Sequence, residues 1–320
     1  MSTNSHKNVT SKSCPVLTLS AQEIIIDNPW ILWPQKQNPI LAKSLRLLGQ
    51  QEPILVFVRE KVFFLVHGYQ RVKVLKSLKQ SVQTLVIDYP GPKELGLLYF
   101  SLNTLPHPKE WAWVKAFRYL KPLGLSKSDL EILGLHPQNP LLAKIEAWLN
   151  LSATWDLSLA QEHLNLDAAP LLAKFLPAER EQLFPLFQTL KWSNSNQKKL
   201  LTWLLEIRAL AAKNFKRILD TILSITQDEL SPQDKIKKIL GLLWEKRYPV
   251  LASKQKQLSN YLTNLSGGTN WEISHPSMLE NTCLEFKARA NNLSQLKQLH
   301  KDLESLIQQN PWHNWEQFLV

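Results

Sequence analysis

Two short apolar runs on either side of three charged residues form the clearest pattern in the chain. Residues 54–58 (Ile-Leu-Val-Phe-Val) and 62–66 (Val-Phe-Phe-Leu-Val) are rich in β-branched and aromatic side chains, and Arg59-Glu60-Lys61 is a polar break of hairpin length. The pattern predicts a β-hairpin. Beyond Gly68 the spacing of Val72, Val74, Leu75 and Leu78 turns helical and places Arg71 on the first turn. A strand, a glycine and a helix start in succession put backbone N–H groups beside an arginine, which suits an anion. Residues 40–48 read as a helix closed by Gly49, 82–87 as another buried strand, and 94–102 as a short helix after the turn Tyr89-Pro90-Gly91-Pro92. A further helix is expected from His107-Pro108-Lys109-Glu110, with the proline at its first position and Glu110 in its first turn. Its apolar face is Trp111, Val114, Phe117 and Leu120, and it ends before Pro122 and Gly124.

From Leu125 the pattern suggests a helix-turn-helix. Ser126 can cap a first helix with Leu130 and Leu133 inward, Gly134 permits a tight turn, and Asn139-Pro140 can start a second with Leu141, Ile145, Trp148 and Leu149 on one face. If that second helix reads DNA, Gln138 and Asn139 are the candidates for base edges and Lys144 for a phosphate; Glu146 on the same side and the lack of an arginine make the face a poor reader. A helical hairpin that only packs is the alternative. The remainder is mostly helical: 157–166, 168–175, 177–190, 197–212, 215–225 and 232–244. No sustained heptad appears, so these stripes read as bundle core and not as a zipper. After Lys246-Arg247-Tyr248-Pro249 come a helix to Leu265, candidate strands at 270–274 and 283–288, and a helix over 293–308.

Charge changes this picture more than composition does. Of the net +11, residues 1–124 hold 16 Lys and Arg against 7 Asp and Glu, whereas residues 125–320 hold 22 against 20. A basic excess confined to the N-terminal third favours a partner with a phosphate backbone. The apolar runs are too short and interrupted to span a bilayer, and residues 1–13 have no apolar signal core, so a soluble cytoplasmic protein without a membrane partner is expected. Cys14 and Cys283 stand alone, without the spacing of a disulfide framework or zinc site. Histidine pairs at metal spacing, phosphate-binding glycine loops and nucleophile elbows are absent from the sequence. Of the 12 tryptophans, Trp111, Trp148 and Trp203 fall on apolar helical faces and read as core, with base stacking as the alternative.

The order of parts resembles the N-terminal domain of the ParB family of chromosome- and plasmid-partition proteins, whose fold is shared with sulfiredoxin. The matching pieces are Asn28-Pro29, the helix closed by Gly49, Pro53-Ile54-Leu55-Val56, the hairpin, and Gly68-Tyr69-Gln70-Arg71. Sulfiredoxins place a reactive cysteine after this glycine; Tyr69 stands there, which excludes that activity. CTP-hydrolysing ParB proteins use G-E-R-R and a later E-N-x-x-R. Here Tyr69 and Gln70 replace a glutamate and an arginine, and the second motif reads Ser101-Leu102-Asn103-Thr104-Leu105-Pro106, so that only Gly68, Arg71 and Asn103 match. Arg71 and Asn103 also admit a plainer role, holding the hairpin to the next helix. The tail with its Arg-Tyr-Pro junction and last strand-helix unit resembles the C-terminal part of long ParB-domain proteins.

The resemblance implies an α+β fold: a ParB/sulfiredoxin-like domain at 16–106 after a disordered tail at 1–15, a helical domain with the helix-turn-helix at 107–190, a helical bundle at 191–245, and a small α+β unit at 246–320. It implies a DNA-binding protein of partition or nucleoid and transcription-related organisation, nucleoid-associated in the cytoplasm, with double-stranded DNA as partner and a degenerate nucleotide pocket. Gly68, Gln70, Arg71 and Asn103 are the residues expected at a nucleotide or phosphate, and Lys73, Lys76, Gln138, Asn139 and Lys144 at DNA. No catalytic residue and no metal ligand is assigned. CTP with magnesium, a partition ATPase and a homodimer stay open, as do two other readings, a CTP-hydrolysing DNA-clamp switch and an interaction scaffold without DNA.

Overall fold

The computed structural model describes residues 15–33, 38–103, 108–210, 214–275 and 283–308. Most of the expected tail, together with Cys14, His107 and the segment 104–106, lies outside the described residues. The chain divides into two compact units, Met1–Leu176 and Pro177–Val320.

The first unit is built on a five-stranded sheet. Its strands are β1 (Val16–Ser20), β2 (Ile24–Ile25), β3 (Ile54–Arg59), β4 (Val62–His67) and β5 (Ser81–Ile87), and their order across the sheet is β1-β5-β3-β4-β2. β3 and β4 form the expected antiparallel hairpin, with Val58 opposite Phe63 and Phe57 opposite Phe64. Its turn is Glu60-Lys61, both at positive φ (54° and 65°), the mirror-image geometry whose twist matches that of the strands. β5 joins β3 in parallel, and the short edge strands β1 and β2, which the apolar pattern did not reveal, complete the sheet.

Alternation along the strands splits the core between two faces. Ile54, Val56 and Leu65 bury one way with Tyr69, Val72 and Leu75 of helix α2 (Tyr69–Ser77), while Phe57 and Val66 bury the other way against Leu95. Leu95 belongs to α3 (Pro92–Asn103). The sheet is therefore sandwiched between helices, and α1 (Pro39–Leu48), capped by Asn38, packs on α2 through Ala42, Leu45 and Val74.

The helices that follow in this unit are α4 (Glu110–Leu120), α5 (Lys127–Ile132), α6 (Pro140–Leu149), α7 (Trp155–Ala160) and α8 (Ala169–Leu172). α4 begins at Glu110 with Lys109 as its N-cap, so Pro108 precedes the helix and is not its first residue. Glu110 is drawn into other work: its carboxylate accepts the backbone N–H of Leu166 at 2.8 Å, at the start of a 3₁₀ turn over Leu166–Ala168. The predicted helix over 157–166 is a shorter one, α7, ended by a turn in which Glu162 takes positive φ.

The second unit holds α9 (Pro177–Thr189), α10 (Asn194–Leu210), α11 (Phe215–Ile225), α12 (Pro232–Arg247) and α13 (Pro249–Ser266), then β6 (Glu272–Ser274), β7 (Glu285–Lys287) and α14 (Leu293–Gln308). Leu200, Leu201, Leu204 and Ile207 of α10 are buried, as are Ile239 and Leu243 of α12. Arg247 at the end of α12 reaches Glu206 at 2.6 Å and lies over the Tyr248 ring, so the Arg-Tyr-Pro junction is a clamp between α12 and α10. β6 and β7 pair antiparallel, and Ile273 joins Leu258, Leu262 and Leu306 in a separate small core. Among the described residues no helix is long and apolar enough to cross a membrane.

Candidate functional site

The junction of β4 and α2 concentrates the sequence-predicted residues. Gly68 turns the chain at φ +101°, and a Cβ there would stand 2.5 Å from Cγ2 of Ile54. Both the backbone angle and the packing against β3 demand glycine, with no ligand needed to explain it. Tyr69, the residue in the place of a reactive cysteine, is buried in the core beneath the sheet. Gln70 and Arg71 follow half-buried on the first turn of α2, where Gly68 supplies no side-chain cap.

Arg71 is held by the Glu52 carboxylate, from the loop that leads into β3. That loop is itself fixed: the Gln50 side chain donates to the carbonyls of Glu52 and Gln83 at 2.9 and 2.8 Å and accepts the Gln83 N–H at 2.8 Å. Asn103, the last residue of α3, donates its amide to the Tyr99 carbonyl at 2.8 Å and lies close enough to the His67 imidazole to act on its protonation. Two motifs more than thirty residues apart in sequence thus meet through His67.

His67 is the residue sequence reasoning passed over. Burial and then the Arg71 charge hold its pKa below the ordinary 6.5, against the opposing pull of Asn103 and Glu52. Its Nδ1 is buried without a hydrogen-bond partner. A signal existed in the strand alternation: Phe63 and Leu65 set the face turned to the α2 core, and the next position on that face is His67. Glu52 was equally missed as a partner, because nothing in a sequence ties a loop carboxylate to an arginine 19 positions away.

The charge gathered at this junction is small. The junction offers one arginine already matched by a carboxylate, a neutral imidazole and an amide, and among the described residues no group of three or more His, Cys, Asp or Glu is placed to hold a metal ion. The described residues of this junction do not fit a magnesium triphosphate, which needs several cations and a metal-holding carboxylate.

The residues expected at DNA are dispersed. Lys73 is exposed and lies 5.9 Å over the Tyr69 ring; Lys76, half-buried on the same helix, lends its carbonyl to Gln22. α5 opens with a Ser126–Asp129 capping box, and hydrogen bonds from Ser126 and Lys93 hold the Asp129 carboxyl below the usual range. Gly134 turns the chain at φ +75° before α6. Asn139 spends its side-chain oxygen capping α6 at the Leu141 N–H, and Lys144 is paired with Asp167 at 2.5 Å. Gln138 is exposed.

No protein-family model matches this sequence, and the curated proteins contain no match. Three of the solved structures it is similar to are ParB proteins. The C-terminally truncated chromosome-partitioning ParB of Caulobacter crescentus, complexed to the centromeric parS site, is 13% identical with a TM-score of 0.35 over 53% of this chain and 91% of that one. The same protein complexed with CTP-γ-S is 15% identical with a TM-score of 0.25 over 53% and 99%. A Pnob8-like ParB-N domain is 16% identical with a TM-score of 0.34 over 77% and 96%. The chain itself is an α+β protein, with a five-stranded sheet set among helices.

Proposed function

We propose that this chain is a DNA-binding protein of the ParB-like type, serving DNA partition or nucleoid organisation, and that it binds a phosphate group at Gly68, Gln70, Arg71 and Asn103 without turning a nucleotide over. The observation that carries the reading is Arg71 on the first turn of α2 behind the Gly68 turn, with Asn103 ending α3, on the part of the chain that holds the excess of Lys and Arg. These are the matched positions of the two family motifs. The positions that would neutralise a triphosphate and hold its metal are Tyr69, Gln70 and Leu102.

Calorimetric titration with CTP and a phosphate-release assay, each with and without duplex DNA and magnesium, test it. Binding lost in Arg71→Ala with negligible turnover is expected. DNA-stimulated hydrolysis abolished by Arg71→Ala would overturn the reading in favour of a CTP-hydrolysing clamp.

The helix-turn-helix role of α5 and α6 belongs to the same proposal, with Gln138 as the exposed candidate for a base edge. A helix pair that only packs has its own support: Asn139 is committed to a cap and Lys144 to Asp167.

A further inference from the structure

Glu52 occupies the one cation that a phosphate would use. The contact is built and not incidental, since Gln50 pins the Glu52 backbone to β5 through three hydrogen bonds. The glutamate side chain stays largely in water, whereas Arg71 is mostly covered, so the carboxylate is the more readily displaced partner. Beside this pair, His67 keeps a buried Nδ1 with nothing to bond. A buried polar atom without a partner is costly unless another state of the protein satisfies it.

We propose that Glu52 is an internal stand-in for the ligand: an oxyanion displaces it from Arg71 and is met by the His67 imidazole, which takes up a proton as the anion enters. The proposal rests on the phosphate-binding reading above and concerns how that site is regulated. The charged groups that act on His67 are Arg71 and Glu52, with the Asn103 side chain as its polar neighbour. Without an anion, burial and Arg71 disfavour the protonated imidazole. An anion over Arg71 cancels that repulsion and adds an attractive charge, so protonation becomes favourable. Glu52 moving away removes some of the same attraction, which is why the anion and not the carboxylate has to be the acceptor close to the ring.

The consequence is an affinity set by charge competition and by pH. With Glu52 neutralised, the anion no longer competes with a fixed carboxylate a few ångströms away, and binding should tighten about tenfold at low salt. Binding that loads a proton on histidine weakens as pH rises through the imidazole range.

The test is calorimetric titration of the full chain with sodium sulfate, inorganic phosphate and CTP, using wild type, Glu52→Gln, His67→Gln and Arg71→Ala. Sulfate keeps a constant charge over pH 5.5–7.5, so its pH profile reports the protein. Glu52→Gln is expected to bind all three anions about tenfold more tightly. Wild-type affinity for sulfate is expected to fall by about tenfold across that range, with buffer-dependent heats that show proton uptake, and His67→Gln to be flat. A gain of affinity confined to CTP would place the competition at a triphosphate and not at the single-anion site, and overturn the proposal. If wild type binds and Arg71→Ala does not, yet Glu52→Gln leaves affinity unchanged and no proton is taken up, the inference fails while the phosphate-binding reading stands. If neither wild type nor Glu52→Gln binds any of the anions, both fail. Should His67→Gln not fold, as judged by thermal melting, the Glu52→Gln affinity and the wild-type buffer dependence decide.

Discussion

The Asp156 carboxylate, almost fully buried in the first unit, accepts three hydrogen bonds, from the Trp148 indole N–H at 2.9 Å and from Arg118 Nε and Nη2 at 2.8 and 2.9 Å, and pairs with the Lys115 ammonium at 3.6 Å. Arg118 also reaches the Leu151 carbonyl at 3.1 Å, so one guanidinium ties α4 to the end of α6 and to α7. A pair of this kind is costly to break because the mostly covered Arg118 guanidinium and the buried Trp148 N–H lose their shared acceptor. Asp156→Ala is expected to lower the unfolding free energy by about 3–5 kcal/mol, read by urea unfolding with tryptophan fluorescence. A loss below about 1 kcal/mol, the scale of an exposed pair, would show the network to be solvated. His67 supplies a pH-dependent counterpart. Its native pKa is depressed below the ordinary 6.5, so the unfolded chain binds the proton more readily. Its contribution is therefore complete above about pH 6.5 and is lost as pH falls through the native pKa. The melting temperature should decline below that pH, and His67→Gln should remove that part of the decline.

At the scale of elements, the expectations that held share a cause. α11 and α14 have the predicted bounds because their apolar spacing is strong and little interrupted. The hairpin held because apolar runs on either side of a short charged turn leave few other ways to bury both faces. Helix starts were less legible. Glu110 looks like a first-turn acid in sequence and is one, yet its bond goes to Leu166, a choice made by packing between α4 and the turn before α8. The α5–α6 pair separates two roles by mutation. Asn139→Ala should cost about 1 kcal/mol of stability through the lost cap, measured by denaturation without DNA. Gln138→Ala should leave stability unchanged and, if α6 reads bases, weaken binding to a preferred duplex by about 1–3 kcal/mol while random DNA is little affected. Equal small losses on both DNAs would instead favour a pair that only packs.

For the whole molecule the governing quantity is where the charge lies. The basic excess sits in residues 1–124 and most of the remaining chain is nearly balanced, so affinity for duplex DNA should fall steeply from low to physiological salt, with a log–log slope of several units. Reversing charge together at Arg71, Lys73 and Lys76 should reduce both the affinity and that slope, measured by fluorescence anisotropy over a salt series. A flat salt dependence would remove DNA as the partner of this surface. The domain limits inferred from punctuation, and the bundle and α+β tail assigned to 191–245 and 246–320, remain proposals for limited proteolysis to test; by compactness the chain divides between Leu176 and Pro177.

Sequence alone determined the α+β class, the hairpin, the glycine-then-helix junction and the asymmetry of charge, because each is written in local spacing or in a count. It also ruled out a thiol reaction at position 69, since that needs only the identity of one residue. The approach of Asn103 to His67, the Glu52 carboxylate on Arg71, and the pairing of Lys144 with Asp167 were decided by tertiary structure. Those contacts join residues whose separation along the chain carries no period; the closing of β3, β4, α2 and α3 around one another brings the first two within reach, and the packing of α6 on the 3₁₀ turn over Leu166–Ala168 brings the third.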